Sequence, residues 1–173
     1  TTGGNWAVAN GLGYWFYGRT PRIDQITRTG TWAALGASTD TTPRTATFTT
    51  LWLEHGTAPV DADAAYAIVP GATAQSMRTF VTPAIIANDA TASAVRSGNA
   101  TAIVFWKAGK VAGIQSDSPA IVYLTATDLY ATDPSSSTGS FTITLPNGRY
   151  AIARNGGRTF HAKLTPARRR AVR

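Results

Sequence analysis

The residues best suited to acid–base chemistry stand side by side in one stretch of the sequence. Glu54 is the only glutamate, His55 is one of two histidines, and both lie in the segment 51–71, which reads LWLEHGTAPVDADAAYAIVPG. A carboxylate and an imidazole can act as general acid and base when both face the substrate. Adjacent side chains of a strand point to opposite faces, so we predict that this pair is not coupled. We predict no catalytic residue in this chain, and we expect the His55 ring to bond the backbone and hold the turn.

The other residue types that carry chemistry are too few or too scattered for the common kinds of active site. The two histidines, His55 and His161, and the carboxylates lack the spacing of a metal-ligand set. The sequence contains no cysteine, no Gly-x-Ser-x-Gly nucleophile motif and no glycine-rich phosphate loop. We therefore predict neither a bound metal nor a cofactor.

Four consecutive aromatic residues at positions 14–17 follow an Asn-Gly pair that is typical of a tight hairpin. They must be shared between the two faces of a strand, so they either pack against another sheet or form an exposed surface. We favour packing, but an exposed ring can stack on a sugar, and the two arginines that follow can attract an acidic one. The predicted substrate-binding residues are Trp15, Tyr17, Arg19 and Arg22.

Turn-forming residues indicate how the segment 51–71 is folded. Gly56 permits a positive φ, and Pro59 fixes its own φ and favours an extended conformation at Ala58. We predict a strand over residues 48–53, a shaped turn, and a second strand that begins at Ala64.

The net charge of +7 is concentrated at the C-terminal end. From Arg149 onward there are eight basic residues and no acidic one, whereas the preceding part holds eight basic and nine acidic residues. The run 168–170 is typical of a solvated tail, with attraction to a polyanion as the alternative. No nucleic-acid-binding motif accompanies it, and no apolar run is long enough to span a bilayer. We therefore predict no nucleic-acid partner and no membrane span.

The remaining sequence alternates short apolar runs with turn residues at intervals of about ten residues, which is typical of a sandwich or barrel. The run SFTITL at 140–145 alternates apolar and polar residues throughout, and no helical period is sustained. These features predict an all-β protein with an antiparallel β-sandwich over residues 1–75, a small C-terminal β-sandwich domain over 76–165, and a basic tail at 166–173.

Three further local patterns carry structural predictions. Residues 19–40 are predicted to be a connection, with either one helical turn or a loop around Trp32. The Leu-Trp-Leu triplet centred on Trp52 predicts burial on both faces of its strand. Asn155-Gly156-Gly157 lies between two apolar runs and predicts a final hairpin.

Three stretches resemble polysaccharide lyase family 8, the hyaluronate, chondroitin AC and xanthan lyases. The segment 51–71 resembles the family's His-Gly-x-x-Pro-x-x-Ala-x-Tyr-x-Tyr-x-x-x-Pro stretch, and NGLGYWFYG at 10–18 is similar to its Asn-Gly-x-Gly-Tyr-aromatic hairpin. Residues 104–135 are similar to its small C-terminal β domain, with Thr132-Asp133-Pro134 at the position of a Ser-Asp-Pro triplet. The residues of the first motif, to which we assign a structural role, are Glu54, His55, Gly56, Pro59, Tyr66 and Pro70.

One position departs from the family pattern. Ala64 stands where the family has the first tyrosine of a pair, and only Tyr66 is kept. A buried aromatic ring removes a large apolar area from water, so its loss implies either a neighbour that fills the space or an exposed site.

The resemblance implies a role within a two-part enzyme. In this family an incomplete toroid of helices provides the catalytic Asn, His, Tyr and Arg, and the β part closes the cleft in which the uronate undergoes β-elimination. None of these catalytic residues can be carried onto this sequence. The resemblance therefore implies the C-terminal β portion of a secreted bacterial lyase, inactive alone, with a helical toroid domain and an acidic polysaccharide as partners.

Hyaluronate or chondroitin is the expected substrate, ahead of xanthan, and a bacterial hyaluronate lyase is the first candidate for the parent protein. The chain begins close to a strand-like run at Trp6, which suggests a piece of something longer. Two alternatives remain open at this point: a carbohydrate-binding β-sandwich module without catalysis, and a purely structural adhesin-like or coat domain.

Overall fold

The computed structural model describes residues 2–133, 135 and 138–164. They form two compact units, the first ending at Thr82 and the second beginning at Pro83, whereas composition placed the division between residues 75 and 76. Every strand pair among the described residues is antiparallel, which confirms the predicted all-β fold. The predicted basic tail at 166–173 and Pro134 of the Thr-Asp-Pro triplet lie outside the described residues.

The first unit is built from six strands, one 3₁₀ turn and one short helix. Its elements are β1 (Thr2–Gly3), β2 (Trp6–Ala9), β3 (Leu12–Phe16), β4 (Arg22–Gly30), the 3₁₀ turn (Ala33–Leu35), β5 (Arg44–Trp52), β6 (Tyr66–Pro70) and α1 (Ala74–Arg78). Strands β1, β2, β3 and β6 form a sheet in that order, and β4 and β5 form a separate two-stranded ribbon.

The predicted tight hairpin joins β2 and β3. Asn10 and Gly11 have φ angles of 51° and 74°, and a type I′ turn requires positive values at both central residues. The ladder pairs Ala9 with Leu12, so Asn10 and Gly11 form the whole loop. The hairpin prediction is confirmed.

Helix α1 packs on one face of the four-stranded sheet. The Thr73 hydroxyl accepts the Ser76 N–H at 3.1 Å, and the Ser76 hydroxyl accepts the Thr73 N–H at 2.9 Å. This reciprocal capping box satisfies two backbone donors at the start of the helix. Met77 is fully buried and approaches Gly13 of β3 so closely that a Cβ at position 13 would overlap its Sδ atom. The contact between helix and sheet therefore requires glycine at position 13.

The ribbon of β4 and β5 corrects the prediction of a connection over residues 19–40. Threonine pairs link the two strands: the Oγ1 atoms of Thr27 and Thr47 are 2.9 Å apart, and those of Thr29 and Thr45 are 2.7 Å apart. Strand β4 lacks a hydrophobic period because most of its residues are exposed on both faces, so the sequence carried no strand signal. The 3₁₀ turn after β4 confirms the single helical turn, one of the two alternatives for this region.

The segment 51–71 has the predicted order of strand, turn and strand, but its two strands belong to different sheets. Strand β5 pairs with β4, whereas β6 pairs with β3. Trp52 is 40% exposed. The prediction that it is buried on both faces was wrong, because the face of the two-stranded ribbon that carries it stays open. Ala64 is exposed, so the missing tyrosine leaves no buried gap.

The second unit is a sandwich of two sheets. Its strands are β7 (Ala84–Asn88), β8 (Ala92–Ser97), β9 (Ala100–Phe105), β10 (Gly109–Val111), β11 (Ile114–Ser116), β12 (Ala120–Leu124), β13 (Asp128–Thr132), β14 (Ser140–Leu145), β15 (Gly148–Ala153) and β16 (Phe160–Lys163). One sheet has the strand order β16-β13-β12-β9-β8-β7, and the other has the order β10-β11-β14-β15.

Inward-facing side chains of both sheets form one hydrophobic core. Phe105 and Val122 come from the six-stranded sheet, and Phe141, Ile143 and Leu145 come from β14. The three β14 residues are the apolar positions of the SFTITL run, so the alternation predicted the buried face correctly.

The predicted final hairpin is wrong. Strand β15 pairs with β14, and β16 crosses to the other sheet and pairs with β13. The Thr132 hydroxyl donates to the Gly157 carbonyl at 2.9 Å and holds the crossing loop against the end of β13. A glycine-rich turn between two apolar runs can reverse the chain within one sheet or carry it to the other sheet. The pairing of β16 with β13 selects the second path.

Candidate functional site

Side chains from three parts of the first unit meet where β4 begins and β5 ends. Arg22, the first residue of β4, lies opposite Trp52, the last residue of β5. The Trp52 indole N–H donates to Oε1 of Glu54 at 3.4 Å, and Nη1 of Arg19 donates to the Glu54 backbone carbonyl at 3.4 Å. We call Arg19, Arg22, Trp52 and Glu54 the ribbon base. The two arginines of this group are suited to holding an anionic ligand and not to transferring protons, since arginine stays charged in proteins.

The two predicted aromatic contact residues have partners outside the four residues of the ribbon base. Trp15 packs against the buried cluster around Met77, and its ring centroid is 5.9 Å from that of Phe80. Tyr17 is half-buried, its N–H donates to the Ala65 carbonyl at 3.0 Å, and burial raises the pKa of its phenol. Trp15 is therefore packed, as the favoured alternative for the aromatic run predicts, but against the Met77 cluster and Phe80 and not against another sheet.

The two predicted arginines, Arg19 and Arg22, are exposed and belong to the ribbon base. Trp52, which the sequence predicts to be buried, is the aromatic residue that the structure places opposite Arg22. Its exposure depends on the strand pairing of β5, which no local pattern reports. The binding role of Trp15, Tyr17 and the two arginines remains a prediction.

Glu54 and His55 lie at the start of the turn that follows β5. The Glu54 carboxylate accepts the indole N–H of Trp52, while Nδ1 of His55 is buried and has no hydrogen-bond partner among the described residues. The bond from the ring to the backbone expected of His55 is therefore not made by Nδ1. No hydrogen bond joins the two side chains within the described part of the chain, so they have no geometry for coupled proton transfer.

The shape of this turn comes from left-handed residues. Gly56 has φ 77°, in agreement with its predicted role, and Asp61 has φ 51°. Ala58 has φ 49°, so the prediction that Pro59 keeps it extended was wrong. The path of the turn outweighs the steric preference that a proline imposes on the residue before it.

The last two residues of the motif anchor the chain after the turn. Tyr66 opens β6 opposite Phe16, and Pro70 closes it opposite Leu12. The rings of Tyr66 and Phe16 are 6.3 Å apart, and Tyr66 is 59% exposed. Pro70 lies at the edge of the sheet, where a missing N–H costs no ladder hydrogen bond.

Comparison with known families gives both units an assignment. Residues 1–81 match the family model described as polysaccharide lyase family 8, super-sandwich domain, and residues 84–142 match its C-terminal beta-sandwich domain. The two matches together cover most of the chain. The chain belongs to polysaccharide lyase family 8.

Individual lyases of the family show the same relationship. The chain is 34% identical over 86 residues to a xanthan lyase of Bacillus sp. (strain GL1) and 35% identical over 72 residues to a hyaluronate lyase of Thermasporomyces composti. These matches cover 47% and 40% of this chain, and 9% of each relative.

Solved lyase structures share the fold. A Paenibacillus xanthan lyase superposes with a TM-score of 0.73 at 25% identity, covering 89% of this chain and 19% of that one. A Streptomyces coelicolor A3 chondroitin AC lyase in complex with chondroitin sulphate superposes with a TM-score of 0.74 at 29% identity, covering 96% and 25%. The chain thus spans a quarter or less of the lyases that it matches.

A second polar cluster, which the sequence analysis missed, lies on the C-terminal domain of this lyase-family chain. The buried Asp128 carboxylate accepts hydrogen bonds from Lys163 Nζ at 2.8 Å, Thr127 Oγ1 at 2.6 Å and His161 Nε2 at 2.7 Å. These donors hold the pKa of Asp128 well below its usual range. The His161 ring also stacks on Tyr130, with centroids 4.4 Å apart. A carboxylate held ionised by three donors is a poor proton acceptor. Because Asp128 lies on β13 and both His161 and Lys163 lie on β16, the cluster fastens β16 to β13.

A third cluster fastens the loop after β13. Arg154 forms an ion pair with Asp133 at 2.7 Å, donates to the Ser118 hydroxyl, and lies with its guanidinium carbon 5.8 Å from the centre of the Phe141 ring. Asp133 is the centre of the Thr-Asp-Pro triplet, so the ion pair gives that family feature a structural role.

The described residues contain no group of three or more His, Asp or Glu side chains that could hold a metal ion. Among them, no helix is long and apolar enough to cross a bilayer.

Proposed function

We propose that this chain is the C-terminal β portion of a secreted polysaccharide lyase that cleaves hyaluronate or chondroitin, or failing these xanthan, by β-elimination. The observation that carries the proposal is the match of both units, in order, to the super-sandwich and C-terminal domains of family 8. The substrates for which the related lyases are named indicate the substrate class: xanthan, hyaluronate and chondroitin are all acidic polysaccharides.

The geometry of this chain favours a role in supporting the cleft over a role in catalysis. Glu54 is engaged by Trp52, and Asp128 is held ionised by three donors. Elimination requires a base that removes the proton at C5 of the uronate and a group that neutralises its carboxylate. A helical toroid domain of the same enzyme would supply these groups, and the exposed arginines of the ribbon base would meet the polyanion.

The direct test is an assay of this 173-residue chain against hyaluronan, chondroitin sulphate and xanthan, following the absorbance of the unsaturated uronate. We expect no product from the pure chain and product from a longer protein that contains it together with a helical toroid. Turnover by the pure chain would overturn the supporting role. A longer protein that binds acidic polysaccharide but never produces unsaturated uronate would overturn the lyase assignment.

The exposed arginines also favour a second candidate, a carbohydrate-binding β-sandwich module without catalysis. Binding by such a module would weaken as salt rises, because exposed ion contacts are screened. Retention of hyaluronan at low salt, together with absence of product from every longer form of the protein, would favour the module over the lyase.

A further inference from the structure

Three asparagines of the chain are each followed by a glycine, and this pair of residues can undergo spontaneous deamidation. The pairs are Asn10-Gly11, Asn147-Gly148 and Asn155-Gly156, and all three asparagine side chains are exposed. Because glycine has no Cβ, its backbone nitrogen is open to attack on the preceding side chain. The three pairs are equivalent in sequence, so the backbone around each one decides whether it can react.

The reaction is an intramolecular ring closure. The backbone nitrogen of the glycine loses its proton and bonds to Cγ of the asparagine. The bond from Cγ to Nδ2 then breaks, and the side-chain nitrogen takes up a proton and leaves as ammonia. Water opens the cyclic imide at either carbonyl and gives aspartate or isoaspartate. Closure requires a free glycine N–H and an asparagine whose Cα–C bond can rotate, because the reacting atoms must first be brought into line.

The fold restrains Asn147-Gly148. Pro146 and Asn147 form the whole loop between β14 and β15, because the ladder pairs Leu145 with Gly148. The nitrogen that would attack therefore belongs to a residue of the ladder. Pro146 also fixes its own φ and stiffens the loop on the other side of the asparagine. Ring closure at Asn147 requires the end of the hairpin to open.

The fold restrains Asn10-Gly11 in a different way. Asn10 has φ 51° and Gly11 has φ 74°, and these two residues are enclosed by the pair formed by Ala9 and Leu12. A two-residue turn of this type needs defined angles at both central positions. Rotation about the Cα–C bond of Asn10 would break the turn, so ring closure here also requires the hairpin to open.

Asn155-Gly156 lies outside every strand, in the crossing loop between Ala153 at the end of β15 and Phe160 at the start of β16. The Asn155 side chain and the Gly156 N–H form no hydrogen bond with any residue that the structure describes. A single turn hydrogen bond, from the Arg158 N–H to the Asn155 carbonyl at 3.1 Å, encloses the pair. Opening this one bond frees the rotation that ring closure needs.

The local charge also favours Asn155. Arg158 belongs to the same turn and forms no ion pair within the described part of the chain. A nearby positive charge stabilises both the deprotonated amide nitrogen and the oxyanion that forms when this nitrogen attacks. The hairpin of Asn10 contains no basic residue, because Arg19 is the first in the sequence.

We propose that Asn155 is the deamidation site of the folded chain and that its isoaspartate form loosens β16. In isoaspartate the backbone passes through Cβ and Cγ, so the crossing loop becomes one carbon longer. The Thr132 hydroxyl holds this loop through the Gly157 carbonyl at 2.9 Å, and β16 is an edge strand that pairs with β13. Lengthening the loop displaces the point at which it is held, just before the strand begins. This inference is independent of the lyase activity.

The test follows deamidation of the 173-residue chain at mildly alkaline pH, folded and in guanidinium chloride, by mass spectrometry of tryptic peptides. Cleavage after Arg149 and Arg154 separates Asn147 from Asn155. The rate in denaturant divided by the rate in the folded chain measures how far the fold protects each site. We expect this ratio to be at least about fivefold smaller for Asn155 than for Asn10 or Asn147, the factor that corresponds to opening about one further hydrogen bond. Equal ratios at the three sites would overturn the assignment.

Hydrogen exchange of the β16 amides tests the consequence. We expect exchange over Phe160–Lys163 to become about fivefold faster after incubation of the native chain, as for the loss of about one hydrogen bond. Asn155→Gln should prevent this change, because glutamine would have to close a larger ring. Asn147→Gln is the matched control and should behave like the native chain. Unchanged exchange after Asn155 has reacted, or equal acceleration in Asn155→Gln, would overturn the effect on β16.

Discussion

Arg22 lies directly opposite Trp52 in the antiparallel ladder of the β4–β5 ribbon, and both side chains project from the same face. Neither residue is near the other in sequence, and neither belongs to a hydrophobic period. Their pairing places a cation beside an aromatic ring at the base of the ribbon, where the Glu54 carboxylate also accepts the indole N–H. This relationship gives the first unit its candidate site.

Gly13→Ala should destabilise the first unit by about 1–3 kcal/mol, because overpacking forces neighbouring groups to shift. A Cβ at this position would lie 2.7 Å from the Ala72 Cβ and would overlap Met77 Sδ. Gly4→Ala is the matched control, since a Cβ there meets nothing within 4 Å. Urea denaturation followed by tryptophan fluorescence reports this unit, which holds four of the five tryptophans. Equal stability of the two variants would contradict the packing of α1 on Gly13.

Gly56→Ala should destabilise the chain by about 1 kcal/mol, because φ at this position is 77° and an L-residue is strained there. Gly30→Ala isolates the backbone effect. Both sites are open to an added Cβ, but only position 56 has a positive φ. The comparison is made by urea denaturation under one set of conditions. If Gly56→Ala were as stable as Gly30→Ala, the turn would not depend on a left-handed residue.

Ile143→Ala should cost the second unit about 2–5 kcal/mol, the range for truncating a fully buried aliphatic side chain. Ile121→Ala makes the same chemical change at a position that is 41% exposed, and it should cost much less. Thermal unfolding followed by circular dichroism measures both variants. A smaller loss for Ile143→Ala than for Ile121→Ala would contradict the buried face assigned to β14.

The Asp128 cluster predicts a stability difference that depends on pH. The hydrogen bond to Lys163 is the largest cause that lowers the pKa of Asp128, and the same bond raises the pKa of Lys163. A carboxyl with a lowered folded pKa contributes stability above its unfolded pKa of about 3.9 and loses it as pH falls through the folded pKa. A lysine with a raised folded pKa contributes below its unfolded pKa of about 10.4 and loses it as pH rises through the folded pKa.

We therefore expect the stability advantage of the native chain over Asp128→Asn to be greatest between about pH 5 and 9 and to shrink at both extremes. Urea denaturation at acid, neutral and alkaline pH measures this advantage. Asp24→Asn serves as the control, because Asp24 forms no ion pair within the described part of the chain. An advantage that is independent of pH would mean that the contacts with Asp128 are not electrostatic.

Features encoded by short-range geometry were predictable from the sequence. The Asn10-Gly11 turn needs only two residues with positive φ, and the alternation of SFTITL alone identifies the buried face of β14. The positive φ of Gly56 was predictable for the same reason, because it depends on the residue type at that position. The resemblance to family 8 also rested on local motifs, and the comparisons confirmed it.

The pairing of distant strands was not predictable from the sequence. The sequence predicts a connection where β4 lies, because its partner, and not its own pattern, makes it a strand. The sequence predicts that β16 pairs with β15, whereas it pairs with β13 in the opposite sheet. Asp128 and His161 meet at 2.7 Å only because this crossing places their strands side by side.

The sequence by itself determined the all-β class, the local turns, the alternating faces and the lyase family, because each depends on residues close together along the chain. Tertiary structure alone decided which strands pair, that Trp52 is exposed beside Arg22, and that Trp15 packs beneath α1. The physical reason is that exposure and side-chain proximity depend on which surface covers a strand, and that surface comes from residues tens of positions away.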